Sequence, residues 1–214
     1  MAIYQPRSRE DLSNRLAPMN LALWCFENAL ARGVAEAASY STAAPKVAPE
    51  LGRWLRTVEE LHHGLMALQS GWERPEPDPL NQPTWINPAL RTAIVVSSGD
   101  ANTGEVTFNS PSNRNPKGLS FGALVAGNGQ ASFFDAVSRS GEMVDINETW
   151  VFLYHSRIGF VYSELSLPIV MTDAYIEDWR ERILLPRFDT GANAFEVPND
   201  GEPGQDFGFT IERR

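Results

Sequence analysis

The chain has 214 residues, of which 43% are hydrophobic and 21% charged, and this ordinary composition excludes a wholly disordered or collagen-like protein. No apolar stretch approaches the roughly 20 residues of a membrane-spanning helix, and the opening residues lack the apolar region of a secretory signal. A net charge of −9 without a basic segment argues against nucleic-acid binding, and a single cysteine rules out an internal disulfide. We therefore expect a soluble, acidic, cytoplasmic protein.

Residues 1–71 are predicted to be helical. Ser8 is a favourable N-cap, and Pro18 either kinks the first helix or opens the next one. Between Met19 and Arg32 the side chains are apolar on almost every side of a helix, which is typical of a helix that is covered all round. Gly33 is predicted to end this helix. So apolar a segment must be covered by the rest of the chain or by another molecule.

A second, better patterned helix is predicted to begin at Pro49 and to end near Ser70, before Gly71. Its apolar side chains share one broad face, so the two helices, joined by residues 33–48, are predicted to form an antiparallel hairpin. Apolar residues of this hairpin also form the predicted partner interface. Its candidate residues are Leu21, Trp24, Leu51, Trp54, Leu55 and Val58.

Residues 72–88 contain five prolines and are predicted to form an extended connector, because closely spaced prolines forbid a regular helix or a central strand. Trp72 and Trp85 are expected to attach this connector to the body of the protein. The sheet region is predicted to span residues 89–186. Residues 187–214 are polar and acidic, and we expect a poorly ordered tail.

In the sheet region the apolar pattern changes from helical to strand-like. The predicted fold class is α+β, in which the helical hairpin precedes a mainly antiparallel sheet that carries one short helix. The predicted strands span residues 91–98, 105–108, 148–155, 159–167 and 178–185, with a hairpin turn at 156–158. The short helix is predicted to have Asn115 as its N-cap, Pro116 as its first residue and Gly127 as its end.

The polar loop 97–117 follows a buried strand and leads into the predicted short helix. Backbone N–H groups and the helix dipole can hold an anion at such a place, and loops longer than about 12–15 residues are often functional. The loop therefore predicts a small-molecule or nucleotide site, as in a sensor or an enzyme. The candidate ligand-binding residues are Ser98, Asp100, Asn102, Asn113, Arg114, Asn115 and Lys117.

The sequence contains no complete set of catalytic or metal-binding residues. His62 and His63 lack the spacing of a zinc protease motif, and no second ligand cluster accompanies them. Cys25 lies in the apolar helix, where burial suppresses the reactivity of a thiol. We therefore predict no catalytic residue, metal or cofactor, and an enzyme is the less favoured interpretation.

The spacing of Arg56 and His62 on the predicted second helix is similar to the Arg-x(4–6)-His motif of HEPN-type ribonucleases and their inactive relatives. This resemblance rests on two residues and implies a ribonuclease or an inactive relative. At 100° per residue, however, the two side chains lie about 120° apart around a straight helix. The alternative interpretation is a solvated arginine and a packed histidine.

Three functional hypotheses result from the sequence. The leading one is a non-enzymatic protein–protein binding or adaptor module, which includes self-association through the N-terminal helices. The second is a small-molecule or nucleotide-binding sensor or enzyme that uses loop 97–117. The third is the HEPN-like ribonuclease or its inactive relative.

Overall fold

The computed structural model describes residues 1–76, 78–79, 82–128, 134–138 and 141–191. The helices of this part are α1 (Arg9–Leu16), a 3-10 turn (Ala17–Met19), α2 (Leu23–Ser39), α3 (Ala48–Ala67) and α4 (Leu119–Gly127). The strands are β1 (Ala2–Tyr4), β2 (Thr84–Asn87), β3 (Thr92–Ser98), β4 (Phe134–Val137), β5 (Met143–Ile146), β6 (Glu148–Arg157), β7 (Phe160–Thr172), β8 (Tyr175–Leu184) and β9 (Phe188–Asp189). These elements confirm the α+β class.

Within the described residues, seven strands form one mixed sheet in the order β1-β8-β7-β6-β3-β2, and β9 pairs with β7. The β1–β8 and β3–β6 pairs are parallel, so the prediction of a mainly antiparallel sheet is wrong. Parallel neighbours need a long crossover connection, and the segment from 99 to 147 provides one between β3 and β6. Strand periodicity reports which face a residue occupies but not which strand it pairs with, so the sequence pattern did not show this topology.

Both faces of the central strands are buried. On β6, Trp150, Phe152 and Tyr154 point to the face that α1, α2 and α3 cover. Val151 and Leu153 point to the opposite face, against α4. The central sheet is therefore the middle of three layers, and the nearly continuous apolar runs of β3 and β6 follow from burial on two sides.

The sheet covers the apolar helix α2. Cys25, Phe26 and Ala29 are fully buried, and the Phe26 ring packs edge-on against Phe152 of β6 with 4.9 Å between the ring centroids. The apolar side chains of α2 are thus covered largely by the rest of the described chain. Trp24 is the exception, since 40% of its surface remains exposed.

Helix α2 does not end at Gly33, contrary to the prediction, but continues to Ser39. A Cβ atom at this glycine would lie 3.0 Å from the Arg53 carbonyl oxygen and 2.3 Å from the Thr57 hydroxyl oxygen of α3. The glycine therefore serves the close approach of the two helices and not the termination of one of them.

Helices α1 and α3 begin where the sequence signals predict. The Ser8 hydroxyl accepts a hydrogen bond from the Asp11 N–H at 3.1 Å and caps α1, as predicted. Helix α3 has Pro49 in its first turn, where the missing N–H costs nothing. Near its other end, Gly64 lies against Cys25 of α2, so the two helices pack side by side.

The proline-rich connector contributes a strand that the prediction missed. β2 lies between Pro83 and Pro88 at the edge of the sheet, antiparallel to β3. The prolines flank β2 and therefore remove none of its ladder hydrogen bonds, and on its outer side Ile86 pairs with Glu73. Trp72 and Trp85 are both buried, and the Trp72 indole donates to the Asn20 carbonyl oxygen at 3.0 Å. These two residues attach the connector to the helices and the sheet.

The remaining elements agree with the predictions only in part. The β6–β7 hairpin and the β8 strand are confirmed. No strand forms over residues 105–108, where the backbone is a loop. Helix α4 has Gly118, not Asn115, as its N-cap, because the Lys117 N–H is bound by the Ala174 carbonyl oxygen. From the predicted tail, Phe188 and Asp189 form β9, and residues 192–214 lie outside the described residues.

Candidate functional site

An open apolar groove of about 710 Å³ runs between α4 and the end of β7. Its walls include Leu119 and Ala126 of α4 and Ile169, Val170 and Met171 of β7. Leu119 is 95% exposed and Val170 is 41% exposed. Two branched apolar side chains thus stand in water beside a concave apolar surface.

The sequence of α4 explains this groove. The larger side chains Phe121, Leu124 and Val125 are buried against the sheet. Small residues lie on the groove side, and a Cβ added at Gly122 would meet only the Met171 sulfur, at 3.9 Å. The pairing of β7 with β8 is irregular from Leu167 to Met171, and such bulges turn a strand out of the regular sheet.

The predicted ligand loop 97–117 is held mainly by its own polar groups. The buried Asn113 amide donates to the carbonyl oxygens of Asn115 and Ala174, and its oxygen accepts from the Ile176 N–H. Asp100 and Asn102 are hydrogen-bonded to each other. These side chains therefore hold the loop against β8 and shape its turn.

The two cations of that loop contact different elements. The Ser98 carbonyl oxygen accepts a hydrogen bond from the Arg114 N–H, and the Arg114 guanidinium lies 3.8 Å from the Glu50 carboxylate of α3. The Lys117 ammonium instead lies over the Phe121 ring of α4, 5.6 Å from its centroid. Arg114 and Lys117 thus contact different elements, and the ligand site of loop 97–117 stays a prediction.

The residues predicted for a partner interface divide into buried and exposed ones. Leu21 and Val58 belong to the core, and Trp54 is half-buried. The exposed ones are Trp24, Leu51 and Leu55.

These three exposed side chains do not form one patch. Trp24 precedes Cys25, which packs against Gly64 near the end of α3. Leu55 lies nine residues before Gly64, which is about 13 Å along the helix, and Leu51 lies farther still.

The helical Arg56 and His62 point to different partners. The Arg56 guanidinium is held by the Glu59 and Glu60 carboxylates on the same helix. The His62 Nδ1 atom accepts a hydrogen bond from the Trp85 indole at 3.2 Å. The two side chains are thus engaged separately, as their angular separation suggests.

The thiol of Cys25 is expected to be a poor nucleophile. Cys25 is fully buried between the N-terminal helices and the sheet, and this burial raises the pKa of its thiol to about 12. Near neutral pH it is therefore a thiol and not a thiolate, which is the nucleophilic form.

A buried ion pair lies beneath the loop on the second face of the sheet. Glu164 of β7 and Arg182 of β8 are both fully buried, and their charged groups are 2.5 Å apart at the closest contact. The Glu164 carboxylate also accepts hydrogen bonds from the Gly104 N–H and the Ser166 hydroxyl. The Arg182 guanidinium donates to the Glu105 carbonyl oxygen. The pair thus fastens residues 104–105 to the sheet.

A second polar cluster lies near the end of β6, on the face covered by α3. It brings together Glu50, Arg53, Arg114 and Tyr154, which come from three distant segments. Burial raises the pKa of Tyr154, the Glu50 charge acts in the same direction, and the two arginines oppose it. Of this group, only Arg114 is indicated by the sequence, because no local motif connects residues so far apart in the chain.

His155 makes the stability of the fold dependent on pH. Its Nδ1 atom lies 3.0 Å from the Gly99 carbonyl oxygen. Burial lowers the pKa of His155 below its ordinary value of 6.5; the neighbouring charges of Arg157 and Arg114 lower it further, whereas the Gly99 contact and Asp100 oppose the shift.

Because the unfolded chain takes up this proton first, we expect the free energy of unfolding to fall as the pH drops from about 6.5 toward the folded-state pKa. Replacing His155 by glutamine should flatten this dependence in urea titrations across pH 4–8. His63→Gln makes the same substitution at an exposed histidine and is the control. A parent slope in His155→Gln would contradict the assignment.

Among the described residues, no helix is both long and apolar enough to cross a membrane, and no cluster of three or more potential metal ligands is found. No protein-family model matches this chain, and comparison with curated proteins and with solved structures also finds no match.

Proposed function

We propose that this protein is a non-enzymatic binding module that holds an apolar segment of a partner protein in the groove between α4 and β7. The groove itself is the observation that supports the proposal. It combines a concavity of about 710 Å³ with the exposed side chains of Leu119 and Val170. Exposed apolar surface of this kind is typical of interaction sites.

The lining of the groove defines the chemistry of the partner. Among its described lining residues, Lys117 is the only ionisable one, and its ammonium lies over the Phe121 ring. Away from Lys117, a charged segment would lose its hydration without gaining a counter-charge. The partner segment is therefore uncharged where it enters the groove, with apolar side chains that fit beside Leu119 and Val170.

We also infer that α2 and α3 form the antiparallel hairpin that the sequence indicates and that it serves as a scaffold. Cys25 lies beside Gly64, and Gly33 lies beside Arg53. In this arrangement the hairpin covers one face of the sheet, and the binding surface lies on the other.

A selection of phage-displayed random peptides on the purified protein tests this proposal. We expect the enriched peptides to share apolar residues and to lack charge at the positions that enter the groove. Leu119→Glu and Val170→Glu should each weaken a selected peptide at least about tenfold, measured by fluorescence anisotropy, because a charge would then face the apolar segment.

Leu51→Glu is the matched control, because it introduces the same charge at an exposed leucine of α3. It should leave peptide affinity unchanged. If Leu51→Glu weakens binding and Leu119→Glu does not, the interface lies on α3 and the groove proposal is wrong. Failure to enrich any peptide would also overturn it, and a dimer that Leu119→Glu dissociates would identify a second copy, not a foreign protein, as the partner.

A further inference from the structure

Arg53 of α3 carries hydrogen-bond donors that the described part of the chain does not satisfy. Its side chain is only 13% exposed, and its Nε and Nη1 atoms are buried without a hydrogen-bond acceptor among the described residues. The Glu50 carboxylate lies 3.2 Å from Arg53 Nη1 and balances its charge. The geometry of this contact does not make a hydrogen bond. Buried donors left unpaired cost free energy, so this arrangement favours an additional acceptor.

Tyr154 of β6 is a second polar group in the same place. Only 2% of its surface is exposed. The charges of Glu50, Arg53 and Arg114 all act on this hydroxyl. The Tyr154 phenol thus lies in the same region as the unsatisfied donors of Arg53.

The position in the fold is suited to ligand binding. β3 and β6 are parallel neighbours, Ser98 pairs with Tyr154 near their carboxyl ends, and loop 97–117 leaves the sheet there. Ligands of sheets with parallel strands bind outside the carboxyl ends of those strands. Arg114 stands at the rim with half of its side chain exposed, and its 3.8 Å separation from Glu50 is too long for a hydrogen bond.

The net charge of the cluster selects the ligand class. The guanidinium groups of Arg53 and Arg114 and the carboxylate of Glu50 together leave one positive charge. The carboxylate group of one bound ligand molecule would neutralise it. A phosphate group carries about 1.5 to 2 negative charges near neutral pH and would leave an excess. We propose that Arg53, Arg114 and Tyr154 form a binding site for the carboxylate group of a small molecule, with the two guanidinium groups and the phenol as donors.

This site is independent of the groove, because it lies on the face of the sheet that α3 covers. Its test is a nitrogen-15 NMR titration of the full chain with sodium acetate and sodium benzoate, at constant ionic strength set with sodium chloride. We expect saturable shifts of the Arg53 Nε–H resonance and of the backbone amides near Arg114. The same titration with inorganic phosphate, at the same ionic strength, is the comparison.

Three variants and a control give the test its specificity. Arg53→Gln, Arg114→Gln and Tyr154→Phe should each weaken benzoate binding, Arg53→Gln by at least about tenfold, since it removes a charged donor. Arg56→Gln makes the same change on the same helix, at a side chain held by Glu59 and Glu60, and should leave binding unchanged.

The absence of saturable shifts with either carboxylate would overturn the proposal. Tighter binding of phosphate than of benzoate would overturn the carboxylate assignment. An equal loss of affinity in Arg56→Gln would show general charge attraction and no site. If Arg53→Gln does not fold, as judged by its circular dichroism, Tyr154→Phe retains the ring and decides the question: unchanged affinity in this variant would contradict the proposed role of the hydroxyl.

Discussion

Replacing Arg182 by methionine is expected to lower the free energy of unfolding by about 3–5 kcal/mol, which is the cost of leaving one partner of a buried ion pair without its counter-charge. Glu164 would keep its contacts with the Gly104 N–H and the Ser166 hydroxyl, but those dipoles do not replace a full positive charge. Urea unfolding followed by circular dichroism measures the change.

The control for this prediction is the same substitution in a surface ion pair. Arg9 and Glu27 make two hydrogen bonds in a similar geometry, but the Arg9 side chain is 68% exposed. Arg9→Met should therefore cost much less, because water screens that pair. Adding Glu164→Gln to Arg182→Met should restore part of the lost stability by removing the uncompensated charge. Equal losses in Arg9→Met and Arg182→Met would show that the inner pair is not buried in solution.

Replacing Gly33 by alanine is expected to lower the free energy of unfolding by about 1–3 kcal/mol, although the same change in an isolated helix is favourable by about 1 kcal/mol. The added methyl group would lie 3.0 Å from the Arg53 carbonyl oxygen, which belongs to a helical backbone and cannot move alone. Helices α2 and α3 would have to separate, and the loss of packing exceeds the gain in helix propensity. Thermal and urea unfolding both measure this effect.

Gly122→Ala provides the matched comparison, because this helical glycine faces open space, apart from the Met171 sulfur at 3.9 Å. Here the propensity gain should prevail and raise the free energy of unfolding by about 0.5–1 kcal/mol. The two Gly→Ala changes thus have opposite expected signs. A stabilised Gly33→Ala would show that α2 and α3 are not in close contact at this position.

Several elements could be predicted from interactions between residues that are close together in the sequence. The Ser8 cap, the Pro49 start and the β6–β7 hairpin depend on groups close together in the chain, and all three are present. Gly33 could not be interpreted from local sequence alone, because glycine is compatible both with a helix end and with a close contact between helices. Only the position of α3 distinguishes the two roles.

The candidate sites depend far more on the tertiary structure. The groove requires α4 to stand beside the irregular end of β7, and nothing within either segment specifies that neighbour. The cluster of Arg53, Arg114 and Tyr154 joins a helix, a loop and a strand. Loop 97–117 is a long polar segment of a kind that often binds ligands, but the Asn113 and Asp100 side chains form hydrogen bonds that hold the loop itself.

The sequence by itself determined the α+β class, the positions of the main helices and strands, and the need to cover the apolar residues between Met19 and Arg32. These properties follow from residue periodicity, capping and burial, which act over a few turns of chain. Only the tertiary structure decided the parallel pairing of β3 with β6, the identity of the covering surface and the composition of both candidate sites. Such features depend on contacts between distant segments, where the pattern of one segment carries no information about which other segment it meets.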